Sequence, residues 1–177
     1  MNSKHILLSP PHMGGTELTY IAQAFQDNWI APAGPHIDLF ENRLVDFLDE
    51  KSQVVALNSG TAAIHLGLQL LGVQKGDVVL CQSLTFIASV NPVLYLGATP
   101  VFIGSEKETW NLCPIALEEA ILNQLNKGIQ PKAIVVVHLY GMPAKMNEII
   151  TISKKYNIPI LEDAAEALGS SYDGKPC

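Results

Sequence analysis

Charge is sparse in this sequence of 177 residues, with Asp, Glu, Lys and Arg together making up 16%. What charge there is leans acidic, 11 basic residues against 17, for a net of −6, and no run of Lys or Arg offsets it. That balance excludes nucleic acid and an anionic membrane surface as main partners. Cysteine is scarce as well. Cys81, Cys113 and Cys177 are odd in number, widely separated and in no metal-type pairing, which points to reduced thiols. The five histidines fall at no helical ligand spacing, so no metal site is expected. A signal peptide is also missing from Met1 to Leu8, which holds one Lys and a short apolar run, and a cytoplasmic protein is the expectation. Between Asp77 and Glu106 charge disappears altogether, over a length that could span a bilayer. Gln82, Asn91-Pro92, Gly97 and Pro100 break that stretch into strand, loop, helix and strand, so it reads as a buried soluble core.

Apolar residues, by contrast, make up 48% of the chain, enough for elements buried on both faces. Apolar spacing predicts one amphipathic helix over Thr16 to Asn28, carrying Leu18, Ile21, Ala22 and Phe25. A second runs over His36 to Asp49, with Ile37, Phe40, Leu44, Phe47 and Leu48 as its buried stripe. The two Pro and one Gly of Asn28-Trp29-Ile30-Ala31-Pro32-Ala33-Gly34-Pro35 make a rigid loop between them, on which Trp29 is either a plug over a core edge or part of a site wall.

From Val54 the pattern changes to apolar strands alternating with helices. Strands are expected at Val54 to Leu57, Val78 to Cys81, Val101 to Ile103, Ala133 to Leu139 and Ile158 to Leu161. Helices are expected at Thr61 to Leu71, Phe86 to Leu96, Ile115 to Asn126 and Ala144 to Tyr156. Strands apolar throughout, each followed by a helix, indicate an α/β fold: a mostly parallel sheet with helices on both faces. The division expected is a helical segment over residues 1–50 packing on an α/β domain over 51–177.

Ligands of such sheets bind at the carboxyl ends of the strands, and three chemical features fall there. Asn58-Ser59-Gly60-Thr61-Ala62-Ala63 turns a strand into a helix whose first N–H groups are unpaired beside the positive end of its dipole, a seat for phosphate. Ser59 as a plain N-cap and Gly60 as a plain tight turn explain the same residues. Gln82-Ser83-Leu84-Thr85-Phe86 offers an aromatic face beside hydroxyls, although Phe86 alone would read as core. Glu162-Asp163-Ala164-Ala165-Glu166 ends a strand in acids that need a cationic or hydrogen-bonding partner, unless Asp163 is simply a cap. Together they describe a flat, phosphorylated, protonated heteroaromatic, and pyridoxal phosphate fits that description.

In this order, Pro11-His12-Met13-Gly14-Gly15, Asn28-Trp29-Ile30-Ala31-Pro32, Asn58 to Ala63, Ser83-Leu84-Thr85-Phe86, His138-Leu139-Tyr140-Gly141 and Glu162 to Glu166 resemble the DegT/DnrJ/EryC1/StrS family of pyridoxal-phosphate sugar aminotransferases. The resemblance runs over essentially the whole chain, and is greatest toward members of the bacillosamine type that act on nucleotide-linked 4-keto-6-deoxy sugars. It implies the large domain of a fold-type I aminotransferase, with cofactor contacts at Ser59, Gly60, Thr61, Ala62, Phe86, Asp163 and Glu166. It also implies that Asn28, Trp29 and Ala31 line the sugar-nucleotide side, that an amino acid, commonly glutamate, is the donor, and that the site forms in a homodimer.

The family's Schiff-base lysine is expected beyond Cys177, as is the small domain, so the sequence reads as a truncated large domain with no catalytic lysine of its own. Lys175, in the turn Tyr172-Asp173-Gly174-Lys175, is not assigned that role. Gly104 and Cys113 depart from the residues usual in relatives. Two alternatives stay open. One is a non-catalytic module binding a nucleotide or other phosphate at Ser59 to Ala62, with no Gly-x-Gly-x-x-Gly fingerprint for a dinucleotide; the other is a relative using the same cofactor for sugar dehydration.

Overall fold

The computed structural model describes residues 10–48 and 52–177. Met1 to Leu8, the Asp49 end of the second helix and the 50/51 division lie outside them. The chain forms two compact units, residues 1–56 and 57–177.

The first unit holds α1 (Glu17–Gln26) and α2 (Pro35–Leu48). Glu17 closes the start of α1 by accepting from the Gly14 and Gly15 amides, a task the Thr16 side chain does not perform. Tyr20 and His36 meet edge to face at 5.6 Å. The expected burial of the two apolar stripes is not found: Leu18, Phe25, Phe40 and Phe47 are all exposed, and neither helix has a buried residue. Two short helices offer one another too little surface to close a core of their own. Trp29 is half-exposed and lies over Gly34, where a Cβ would come within 3.0 Å of its ring. The strand expected at Val54 to Leu57 is also absent. A strand needs a ladder, and here the Ala56 amide donates instead to Glu41 Oε1 at 2.7 Å.

The second unit is built on a four-stranded parallel sheet, β1 (Val78–Gln82), β2 (Thr99–Ile103), β3 (Ala133–Val137) and β4 (Ile160–Asp163), in the order β2-β1-β3-β4. Every residue of β1 and β3 is buried, as a parallel strand covered on both faces requires. Side-chain alternation then splits the core in two. Val78, Leu80, Ile134 and Val136 pack with Leu117 and Ile121 of α5 (Pro114–Leu125) and with Ile149 and Ile152 of α6 (Met146–Tyr156). On the other face, Val79, Cys81, Ala133 and Val135 pack with Ile64 and Leu68 of α3 (Gly60–Leu70) and with Val93 of α4 (Asn91–Tyr95). Burial pushes the Cys81 thiol up to about 12, so it acts as a small apolar side chain.

Where a continuous helix is expected over Phe86 to Leu96, the structure has a 3-10 turn, Ile87–Ser89, and then α4. Pro92 supplies no N–H, and its ring would clash with the preceding turn of an unbroken helix. The break turns out to matter, because it aims Ser89 inward. After β4, a two-stranded ribbon, β5 (Ser171–Tyr172) and β6 (Lys175–Pro176), forms around the expected turn.

A charged latch holds the loop after β2. Glu106 accepts from the Thr109 hydroxyl and amide and from the Glu108 amide, and pairs with Lys145 at 3.3 Å. The Thr109 hydroxyl above all, then these amides and Lys145, lower the Glu106 carboxyl to about 2 from its ordinary 4.5. A carboxyl lowered in the folded state contributes stability that is complete above 4.5 and is lost as pH falls through about 2.

Two outcomes follow for urea unfolding. Ile134→Ala, in the centre of the sheet, should cost about 2–5 kcal/mol, whereas Ile115→Ala on the exposed side of α5 should stay within about 0.5 kcal/mol; equal costs would contradict the two-faced core. Between pH 4.5 and 2 the wild-type midpoint should fall more steeply than that of Glu106→Gln. Parallel slopes would mean the latch contributes nothing.

Candidate functional site

At the carboxyl ends of β1, β3 and β4 lies a cavity of about 300 Å³, at the small end of the range for small-molecule sites. The residues that line it and that sequence reasoning had singled out are Gly60, Thr61, Phe86, Asp163 and Glu166. All of its lining comes from the second unit. Asn28, Trp29 and Ala31 belong to the first.

The start of α3 provides one wall. Ser59 is extended, at φ −165°, and its Oγ accepts from the Ala62 amide at 3.1 Å, which is the N-cap arrangement. The cap therefore occupies Ala62, and neither Ser59 nor Ala62 is among the lining residues. The Gly60 and Thr61 amides have no acceptor among the described residues and sit at the positive end of the helix. An anion at this corner would meet two free N–H groups.

Phe86 provides the second wall. It precedes the 3-10 turn, is 62% exposed and borders the cavity, so it is not a core residue. The third wall is the end of β4. Asp163 Oδ2 accepts from Ser89 Oγ at 2.6 Å, and Oδ1 accepts from the Ala165 amide at 3.2 Å. The plainer reading, a helix N-cap, does not hold, because no helix follows: Asp163 instead closes a turn through the Ala165 amide, and it also faces the cavity.

The neighbouring acids are satisfied separately. Glu166 Oε2 accepts from the Tyr140 amide at 2.8 Å. Tyr140 and Gly141 both have positive φ, 51° and 81°, and a Cβ on Gly141 would lie 2.9 Å from the Glu166 carbonyl oxygen, so glycine is required there. Glu162 points away toward His138. His138 Nδ1 accepts from the Ala144 amide at 3.0 Å, which places the proton of the neutral ring on Nε2, and Nε2–H then donates to Glu162 Oε2 at 3.2 Å.

Three buried polar residues brace the site in ways the sequence did not show. Ser89 is 1% exposed and braces Asp163; its spacing of four from Thr85 was the available signal. Gln82 and Asn111, both buried, join the end of β1 to the turn after β3. Gln82 Oε1 accepts from the Leu112 amide at 2.9 Å, while Asn111 Oδ1 accepts from the Leu139 amide at 2.9 Å and its Nδ2 donates to the Met142 carbonyl at 2.8 Å. Gln82 heads the Gln82 to Phe86 stretch already singled out, but its bracing role does not show there, and nothing in its local sequence marks Asn111, since an isolated amide reads as surface.

The cavity thus has free amides at one corner, an aromatic wall and a fixed carboxylate opposite. EpsN of Bacillus subtilis, named as a pyridoxal phosphate-dependent aminotransferase, is 53% identical over 97% of this chain and 44% of its own length. The GDP-perosamine synthase of Escherichia coli O157:H7 is 39% identical over 97% of this chain and 45% of its own length. The chain thus spans less than half the length of the curated relatives it matches. Among solved structures, the PLP form of Spr1654 from Streptococcus pneumoniae, named as a sugar aminotransferase, superposes with a TM-score of 0.85 at 30% identity, covering 98% of this chain and 46% of that one. The sequence profile of the DegT/DnrJ/EryC1/StrS aminotransferase family matches residues 11–177, and the chain belongs to that family.

Proposed function

We propose that this chain is the cofactor-binding part of a pyridoxal phosphate-dependent enzyme that transfers an amino group from an amino acid, commonly glutamate, to a keto group of a nucleotide-linked sugar. The observation that carries the proposal is the cavity at the strand ends, where Gly60 and Thr61 amides, the Phe86 ring and the Asp163 carboxylate line one space. Its donor set fits the cofactor. Two free amides at the head of α3 suit a phosphate, a half-exposed aromatic suits a flat ring, and a braced carboxylate suits a ring N–H⁺.

When bound, pyridoxal phosphate supplies an electron sink for the carbanion left when a substrate carbon loses its proton. The rest of the work falls to the protein. Gly60 and Thr61 would anchor the phosphate, with Ser59 holding the helix start rigid through Ala62. Phe86 would lie against the ring, and Asp163 would keep a proton on its nitrogen, since an adjacent carboxylate favours the charged form. Glu166, fixed by the Tyr140 amide through one oxygen, leaves the other to face ligand. In this reading residues 51–177 belong to the large domain, and Asn28, Trp29 and Ala31 contact the sugar nucleotide. A homodimer would complete the site, a cytoplasmic location would suit the substrates, and the product would serve polysaccharide or glycan synthesis. No helix among the described residues is long and apolar enough to cross a membrane.

Purified chain mixed with pyridoxal phosphate should show a saturable visible band, with binding weakened about tenfold or more by Asp163→Ala or Phe86→Ala. Borohydride reduction and peptide mass spectrometry locate any lysine adduct. Scattered surface labelling without a saturable band, together with quenching of tryptophan fluorescence by nucleotides, would favour the nucleotide-binding module instead.

A further inference from the structure

Ser89 is the most deeply buried hydroxyl at the site, and its bonds leave little choice about where protons lie. Its Oγ is 2.6 Å from Asp163 Oδ2 and 2.7 Å from Thr85 Oγ1. A hydroxyl has one proton, and a carboxylate can only accept. Ser89 therefore donates to Asp163, and Thr85 must donate to Ser89. The chain runs one way, from Thr85 through Ser89 to Asp163.

The backbone adds a second constraint. Ser89 closes the 3-10 turn by donating its amide to the Phe86 carbonyl at 3.0 Å. The aromatic wall and the brace on the carboxylate are thus carried by the same single turn, three residues apart. Without Ser89, the one donor to the Asp163 carboxylate left among the described residues is the Ala165 amide at 3.2 Å, on its other oxygen, which leaves its rotation less constrained.

We propose that Ser89, ordered by Thr85, is a positioning residue: it fixes the rotation of the Asp163 carboxylate relative to Phe86, so that a ring stacked on Phe86 meets that carboxylate with its nitrogen. This rests on the cofactor reading given above. It adds that the pairing is set by two hydroxyls acting through the Asp163 carboxylate. The other titratable groups at the cavity, His138 and Glu166, and Glu162 behind His138, are held by partners other than Ser89 and Thr85.

Pyridoxamine 5′-phosphate is the suitable probe, because its amine cannot label surface lysines. Its binding to the full chain is followed by fluorescence and induced circular dichroism, across pH. Wild type should bind saturably. Ser89→Ala should bind about tenfold more weakly, and the pH at which the bound ring loses its proton should fall, because a misaligned carboxylate holds that proton less well. Ser89→Thr, which keeps the hydroxyl, should recover most of both. If Ser89→Ala does not fold, Thr85→Val tests the same chain one bond further back, with a loss of about two- to threefold expected.

If wild type binds, Asp163→Asn binds poorly and Ser89→Ala matches wild type in affinity and pH profile, the positioning role is overturned while the cofactor reading stands. If wild type fails to bind, or Asp163→Asn binds as well as wild type, the cofactor reading itself fails and the positioning role with it.

Discussion

The structure depends on two adjacent strands, β1 and β3, that are buried through both faces. A strand in that position can satisfy its N–H and C=O groups only from neighbouring strands, and parallel neighbours can be reached only by crossing over a face of the sheet. One crossover, α4, lies on one face, and two, α5 and α6, lie on the other. The apolar character of Val78–Gln82 and Ala133–Val137 thus determines where the helices go. It also determines where polar residues can go. With both faces sealed, the loops at the carboxyl ends are the places where side chains such as Thr85, His138 and Asp163 can face a common space.

Much of this was legible from residues alone. Strands at Val78, Ala133 and Ile160 were expected within a residue or two at one end or the other, because uninterrupted β-branched runs bounded by Gly, Pro or Asn admit few alternatives. That the head of α3, Phe86 and Asp163 would lie near one another could be read from their places close to the ends of such apolar runs, and all three border one cavity. What was not legible depends on tertiary partners. Val54 to Leu57 has the composition of a strand, but composition cannot provide a ladder, and Glu41 takes the Ala56 amide instead. The stripes of α1 and α2 have helical spacing, but spacing does not say what covers them. Pro92 could have been weighed more heavily, since its missing N–H was visible in the sequence.

The buried amides are the opposite case. Gln82 and Asn111 carry no charge, yet each is almost wholly shielded from water and makes bonds to backbone on loops far away in sequence. Leaving such a group unpaired costs more than the bond itself contributes. The arrangement is therefore nearly all or none: either the 104–112 loop and the 138–142 turn take up these positions, or the two amides are stranded. That is how a loop region acquires the rigidity of a core, and it explains why the turn bearing Tyr140 and Gly141 tolerates two consecutive residues in the left-handed region.

The same logic applies to the acids. Glu162, Asp163 and Glu166 lie within five positions of one another, and no Lys or Arg is among the residues lining the cavity. Like charges so close would repel. The fold separates them by donor: an imidazole N–H for Glu162, a serine hydroxyl for Asp163 and a backbone N–H for Glu166. None of these donors carries a full positive charge in the geometry observed, so the negative charge is oriented but not cancelled. Across the cavity the head of α3 presents free amides and the positive end of a helix dipole. The space between is polarised, and under the proposed reading it would suit a ligand that is anionic at one end and cationic at the other, with a flat body between them. A nucleotide phosphate alone would satisfy the first end and leave Asp163 uncompensated, whereas a phosphorylated, protonated pyridine satisfies both.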